Sequence, residues 1–121
     1  MELEKVKITE KFREFSDYWS PKVVGELNGQ LVKIAKFKGE FVMHHHKHED
    51  EFFYVIAGEL YIELKNKTLH LGSGDFIIIP KGTDHKPYAP EEVHVMLFEP
   101  SSTLNTGNVD NHLTKSDLDK I

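Results

Sequence analysis

Positions 39–58 of the chain read GEFVMHHHKHEDEFFYVIAG, and positions 74–85 read GDFIIIPKGTDH. The first stretch carries His44 and His46 two residues apart. Because successive side chains of a β-strand point to opposite faces, these two imidazoles share one face and can chelate one ion, while His45 points the other way. A single pair of this kind is usually incidental, so a metal site also requires ligands from elsewhere in the chain.

Glu51 begins an apolar run in which Phe53 and Val55 share its phase. Its carboxylate is therefore expected on the buried face, where it needs a cation or strong hydrogen-bond donors. Two or three imidazoles with one carboxylate suit one divalent transition metal ion (Fe, Mn, Ni or Zn) better than calcium. The expected ligands, with one histidine from the second stretch, are His44, His46, Glu51 and His85.

The two stretches resemble the two motifs of the cupin superfamily. The first motif is matched by Gly39, His44, His46, Glu51 and Gly58, with one residue fewer than usual between Gly39 and His44. The second is matched by Gly74, Pro80, Gly82 and His85, and Ala89 stands where that motif ends in Asn. Over about residues 5–110 the chain is similar to small single-domain bacterial cupins described as mannose-6-phosphate isomerase-like.

The resemblance implies a double-stranded β-helix barrel of the jelly-roll type with one metal ion inside, and a homodimer. It implies no particular reaction, because one fold can carry many activities. We therefore expect a small-molecule ligand, but we predict no catalytic residues.

The rest of the chain also reads as all-β, apart from one short amphipathic helix near Thr9. Short runs of β-forming residues alternate with turn residues, and Asn28-Gly29 is the strongest hairpin signal. The expected organisation is an N-terminal helix and extended arm over residues 1–30, a barrel over 31–107 and a polar C-terminal tail over 108–121. The predicted strands are 31–37, 52–56, 60–64, 68–71, 76–79 and 93–98.

The segment Phe76–Ile79 is apolar in both phases of a strand. Such a strand is expected to be buried on both faces, one against the barrel core and one against a partner subunit. This pattern adds to the expectation of a homodimer.

The composition of the chain argues against a nucleic-acid-binding protein and against a membrane-spanning one. The chain has 121 residues, the size of one domain, with 15 basic and 20 acidic residues and a formal net charge of −5. No basic stripe is present that could neutralise a phosphate backbone, so nucleic acid is not an expected partner. No apolar run is long enough to span a membrane, and cysteine is absent. We expect a cytoplasmic protein without a membrane partner.

Several nearby residues offer alternatives. His48 also forms an HxH pair with His46, but it leaves only two residues before Glu51, so His45 and His48 are expected to be solvated or near the barrel mouth. Glu49 and Asp50 read as a solvated turn rather than a second cation site. Gly72-Ser-Gly74 lacks a following helix and does not predict a nucleotide or other cofactor site. His94 would face the barrel interior only if Met96 and Phe98 do.

These features predict a metal-dependent enzyme, dioxygenase-like or isomerase-like, that acts on a small chelating anion. The alternative is a non-catalytic module that binds a small molecule or metal as a sensor or carrier.

Overall fold

The computed structural model describes residues 3–121. This part of the chain forms one short helix and seven strands. They are α1 (Ile8–Phe12), β1 (Lys22–Leu27), β2 (Gln30–Glu40), β3 (Glu51–Ala57), β4 (Leu60–Glu63), β5 (Thr68–Leu71), β6 (Phe76–Ile79) and β7 (Lys86–Pro100). The protein is thus all-β with one short N-terminal helix, as predicted.

All strands pair antiparallel, in the order β1-β2-β7-β3-β6, with β4 between β5 and β7. The long strand β7 joins the two parts of the sheet. Its first residues pair with β4, and residues 94–98 pair with both β2 and β3. Register shifts between Phe37 and Gly39 and between Val55 and Ala57 mark irregularities that bend the ladder. The sheet curls into the double-stranded β-helix expected from the motifs.

The hairpin between β1 and β2 turns at Asn28 and Gly29, as predicted. Both residues have positive φ, +51° and +77°, the combination that a type I′ turn requires. The turn pairs Leu27 with Gln30. Strand β1 is therefore part of the sheet, although it lies within residues 1–30, the segment expected to form a helix and an extended arm.

The barrel interior is built from alternate positions of each strand. Leu60 and Ile62 are fully buried, which confirms the predicted inward phase of β4. In β7 the inward positions are Val93, Val95 and Leu97. The core cluster contains Trp19, Ala35, Phe37, Phe41, Phe53, Val55, Leu60, Ile62, Leu71, Ile79, Ala89, Val93, Val95 and Leu97.

Because β7 places its odd-numbered residues inside, His94 lies outside the barrel. Its ring stacks on Phe12 of α1 with centroids 4.3 Å apart, and its Nε2 contacts Glu92 Oε2 at 2.7 Å. His94 therefore helps to dock the N-terminal helix and has no part in the barrel interior.

The edge strand β6 is buried on one face only within the chain. Ile79 points into the core, whereas Phe76 and Ile78 are 60% and 56% exposed. The Phe76 ring lies 5.1 Å from that of Phe52 on the neighbouring strand. The outer face of β6 is thus apolar and open to solvent in this chain, so the second buried face expected from sequence is not formed within it.

After β7 the chain has no further regular element within the described residues. The C-terminal segment, residues 101–121, first contacts the loop that precedes β3: Asn108 N donates to His45 O at 3.1 Å, and His45 N donates to Asn108 Oδ1 at 2.9 Å. It then returns to β1, where Lys120 forms a parallel bridge with Val23. No helix in residues 3–121 is long and apolar enough to cross a membrane.

Candidate metal centre

His44 and His85 are held side by side by a two-hydrogen-bond bridge between their backbones. His44 N donates to His85 O at 3.0 Å, and His85 N donates to His44 O at 2.9 Å. Their rings lie 4.3 Å apart, and the ring of His46 lies 5.0 Å from that of His44. The side chains of His44 and His46 lie on the same side of the backbone, as predicted. The segment is not a regular strand, because only His44 forms a bridge, with His85.

Glu51 is the first residue of β3, and its carboxylate lies between two of the imidazoles. Its Oε1 is 3.1 Å from His85 Nε2, and its Oε2 is 3.3 Å from His46 Nε2. One possible ligand atom from each of the four side chains lies within 4.8 Å of the others, and each residue is at most 3% exposed. We call His44, His46, Glu51 and His85 the histidine–glutamate cluster.

Backbone carbonyls fix the tautomer of two of these rings. His44 Nδ1 lies 2.9 Å from Val42 O, and His85 Nδ1 lies 2.9 Å from Thr83 O. A carbonyl oxygen can only accept, so each Nδ1 carries a hydrogen and donates it. The Nε2 of each ring then faces the cluster, which is the arrangement that metal-binding histidines commonly adopt.

The surroundings of His85 fit a cation. Its Nδ1 already donates to a carbonyl, and its Nε2 faces a carboxylate oxygen of Glu51. A neutral imidazole with its lone pair toward a carboxylate would be repelled. Attraction requires either an imidazolium or a cation at this position, so the donor set suits a positive ion between the ring and Glu51.

Buried polar atoms without partners support the same fit. His44 Nε2 and both ring nitrogens of His46 are buried and make no hydrogen bond. A buried unpaired polar atom costs about 1–3 kcal/mol. A metal ion in the cluster would satisfy the inward-facing nitrogens and remove that penalty. A buried His-His-Glu-His group of this kind could hold a metal.

The protonation states also suit a cation. Burial, followed by the nearby His85, lowers the pKa of His44 to about 4, so this ring is neutral at pH 7. For Glu51, burial alone would raise the pKa, but the adjacent imidazoles of His46 and His85 outweigh it and hold the pKa well below its usual value. A neutral imidazole and an ionised carboxylate are the forms that bind metal.

A small cavity opens beside the cluster and reaches His44 and Glu51. Its volume of about 20 Å³ has room for about one water molecule. Part of the wall is an aromatic stack: Trp19 stacks on Phe37 with centroids 4.2 Å apart and on Phe41 at 4.8 Å. The lining residues are Trp19, Pro21, Phe37, Phe41, His44, Glu51, Phe53, Pro87, Leu97, Glu99 and Asn105.

The same cavity contains a carboxyl group that sequence reasoning missed. Glu99 is 2% exposed, and its Oε1 accepts a hydrogen bond from Lys33 Nζ at 2.8 Å, while its Oε2 is buried without a partner. Burial and then the negative charge of Glu51 raise the pKa of Glu99, and Lys33 opposes that rise. The signal was available, since Glu99 continues the inward phase of Val95 and Leu97, but the predicted strand ended at residue 98.

The other polar residues near the motif lie apart from the cluster. His45 pairs with Asp84 at 2.9 Å, and His48 is exposed, as expected. Glu49 accepts from Ser102, whereas Asp50 accepts from Lys81 N. Within residues 3–121, Glu49 and Asp50 belong to no group of three such side chains that converges on a point.

Comparison with known proteins agrees with this geometry. Residues 30–99 match the sequence profile of a family described as "Cupin domain". An uncharacterized Bacillus subtilis (strain 168) protein, YdbB, is 41% identical over 81 residues, which cover 66% of each chain, or about two thirds of that protein's length.

Two solved structures extend the comparison to the fold. A cupin-2 domain containing protein from Shewanella frigidimarina NCIMB 400 is 41% identical, with a TM-score of 0.78 over 78% of this chain and 93% of that one. A Neisseria meningitidis protein aligns with a TM-score of 0.74 over 81% of this chain and 100% of that one, at 19% identity. The second similarity bears on the fold alone.

Proposed function

Since the chain belongs to the cupin domain family, we propose that its histidine–glutamate cluster binds one divalent transition metal ion. The observation that carries the proposal is the set of buried, unpartnered imidazole nitrogens around an ionised Glu51. Imidazole and carboxylate together suit iron, manganese, nickel or zinc. The ligands would be His44, His46, Glu51 and His85.

We further propose a metal-dependent enzyme that acts on a small chelating anion, by dioxygenase-like or isomerase-like chemistry. A divalent ion beside one carboxylate leaves about one net positive charge, which attracts an anion, and a bound metal supplies Lewis-acid or redox chemistry. The chain's own contribution is to shield the site. Trp19, Phe37 and Phe41 exclude water on one side, and Trp19 is fixed by donating from Nε1 to Lys38 O at 2.9 Å.

One observation favours a second candidate, a non-catalytic module that binds metal or a small molecule. The cavity beside the cluster holds about 20 Å³, far less than the ~300 Å³ typical of small-molecule sites. A sensor or carrier of the metal ion alone needs no larger space, so the observation favours the metal-binding form of this module. Turnover of any chelating substrate by the protein loaded with a single metal would favour the enzyme over this module.

The metal site is tested by elemental analysis of the purified protein, wild type and variants. Wild-type protein should contain one divalent ion per chain. His46→Ala should lose most of it, because His46 is buried in the cluster with both ring nitrogens unpartnered. His48→Ala is the matched control, since His48 is exposed on the same loop and should retain full occupancy. Full metal content in a folded His46→Ala protein would refute the assignment.

We also propose that the chain forms a homodimer through the outer face of β6. Support comes from Phe76 and Ile78, which lie on an edge strand and are more than half exposed. Contiguous exposed apolar surface on a small protein commonly marks an interface, and two-fold dimers are the commonest oligomers.

A further inference from the structure

A buried ion pair lies next to the histidine–glutamate cluster. Lys33 of β2 pairs in register with Leu97 of β7, and Glu99 is the next inward position along β7. Phe53 of β3 also pairs with Leu97, so Glu51, two residues before it, lies at the level of Glu99. The two carboxyl groups therefore occupy neighbouring inward positions on adjacent strands.

This pair is difficult to explain by stability alone. Lys33 and Glu99 are 1% and 2% exposed, and removing such charges from water offsets most of their attraction. Apolar residues of similar volume usually stabilise a core as well or better. Moreover, only one oxygen of Glu99 is satisfied, since Oε2 is buried without a partner. The arrangement holds the carboxyl group in place and leaves half of its hydrogen-bonding capacity unused.

The side chain of Glu99 forms part of the cavity wall. Glu99 lines it together with His44 and Glu51, and none of its lining residues within 3–121 is a lysine or arginine. A second anionic group on a bound molecule would therefore meet carboxylates and no cation. A hydroxyl hydrogen, in contrast, would give Glu99 Oε2 the partner that it lacks.

We propose that Glu99 is a ligand-positioning residue, which accepts a hydrogen bond from the hydroxyl group of a small monoanionic ligand at the metal centre, the hydroxyl taking the space of the one water molecule that the cavity can hold. The inference rests on the proposed metal site and specifies its ligand class: a compact, unphosphorylated anion with a hydroxyl beside its metal-binding oxygen, as in a 2-hydroxy acid. Lys33 is the residue that orients Glu99 by binding its other oxygen.

The test uses zinc-loaded protein and two probes, glycolate and acetate, which differ by one hydroxyl group. Isothermal titration calorimetry gives the dissociation constant of each, and their ratio is the hydroxyl preference. Any contribution of the hydroxyl to metal chelation is common to all variants. If the ratio of the two dissociation constants differs between a variant and wild type, the difference measures the contact between the hydroxyl group and residue 99.

Three variants are compared with wild type. Glu99→Gln keeps the shape and removes the charge. The double variant Lys33→Met with Glu99→Leu removes both partners, so that no buried charge is left unpaired and folding is retained if Glu99→Gln is unstable. Glu40→Gln is the matched control, because Glu40 pairs with Lys86 at 2.6 Å and does not line the cavity.

A hydrogen bond to a charged group is worth about tenfold to hundredfold in affinity, so the double variant should lose at least about tenfold of the hydroxyl preference. Glu99→Gln should lose part of it, and Glu40→Gln none. Zinc content should stay at one per chain throughout. An unchanged preference in the Glu99 variants, or no preference in wild type, would overturn the role of Glu99 and leave the metal site standing. Wild-type protein that binds no metal would instead defeat the proposed function itself.

Discussion

At the scale of single residues, His44 combines deep burial with a fixed tautomer. Its Nδ1 donates to Val42 O, its Nε2 faces the cluster, and burial lowers its pKa to about 4. A histidine that stays neutral in the fold but takes up a proton when unfolded links stability to pH.

The sign of this linkage is set by the order of the two pKa values. In the unfolded chain His44 titrates near 6.5, and in the folded protein near 4, so between these values only the unfolded state binds the proton. The contribution of neutral His44 to the free energy of unfolding is complete above pH 6.5. It is lost as the pH falls toward 4 and does not change further below pH 4. A shift of this size corresponds to about 3 kcal/mol.

We predict this loss for metal-free protein as the difference between wild type and His44→Gln. Urea unfolding at pH 7 and at pH 4 gives the free energy of unfolding of both. The wild-type advantage should shrink by about 3 kcal/mol at the lower pH. Glu51 and Glu99 are present in both proteins, so most of their own titration cancels. A difference that does not vary with pH would show that His44 is not buried as a neutral ring.

The four cluster residues could be predicted from sequence because each carries a local signal. His44 and His46 share a two-residue period, Glu51 stands in phase with Phe53, and the second motif supplies His85. Lys33 and Glu99 belong to no motif. The phase of Val95 and Leu97 points to an inward Glu99 only if the strand extends beyond residue 98, and the pairing of β2 with β7 shows that both side chains turn inward.

At the scale of elements, the loop before β3 is held in place by two sets of hydrogen bonds. One is the bridge of His44 to His85, and the other is the pair of hydrogen bonds between His45 and Asn108. Gly107 fits against this loop with φ of +57°, and a Cβ there would overlap the carbonyl oxygen of His45. The C-terminal segment thus fixes the backbone that carries two of the cluster histidines.

We predict that Gly107→Ala lowers zinc affinity by about tenfold, the lower end of the effect of groups that orient ligands. Gly29→Ala is the control, because Gly29 also has positive φ but nothing within 4 Å of a Cβ. Both changes should lower the free energy of unfolding by about 1–2 kcal/mol through backbone strain, and the overlap with His45 adds to this loss in Gly107→Ala. Only Gly107→Ala should weaken zinc in competition with a chelator, and equal zinc affinity in the two variants would contradict the supporting role.

Elements whose structure is determined by neighbouring residues could be predicted from the sequence. Elements whose position depends on contacts with distant residues could not. The Asn28-Gly29 turn and the inward phase of β4 follow from a few neighbouring residues. The path of the C-terminal segment does not, since residues 108–121 show no periodicity and their position depends on His45 and Val23, far away in sequence. For the same reason His94 could be assigned to the outer face only once β7 was seen to place Val93 and Val95 inside.

At the scale of the whole molecule, the proposed dimer makes a definite prediction. Light scattering at micromolar concentration should give twice the chain mass of 14.0 kDa for wild type. Ile78→Lys should give monomers, because a two-fold interface would bury two like charges. Leu27→Lys is the control: Leu27 is 47% exposed but lies on β1, at the other end of the strand order, and should stay dimeric. A wild-type monomer would overturn the proposal.

The pairing of β7 with β2, β3 and β4 also bears on how the protein folds. Because these partners lie far upstream, most of the sheet consists of contacts between distant parts of the chain, the topology that folds slowly. During synthesis, β2, β3 and β4 can pair with β1, β6 and β5, but each keeps one open edge until residues 86–100 follow. The nascent chain therefore carries open strand edges for most of its elongation, when capture by chaperones or by another copy competes with closure of the barrel.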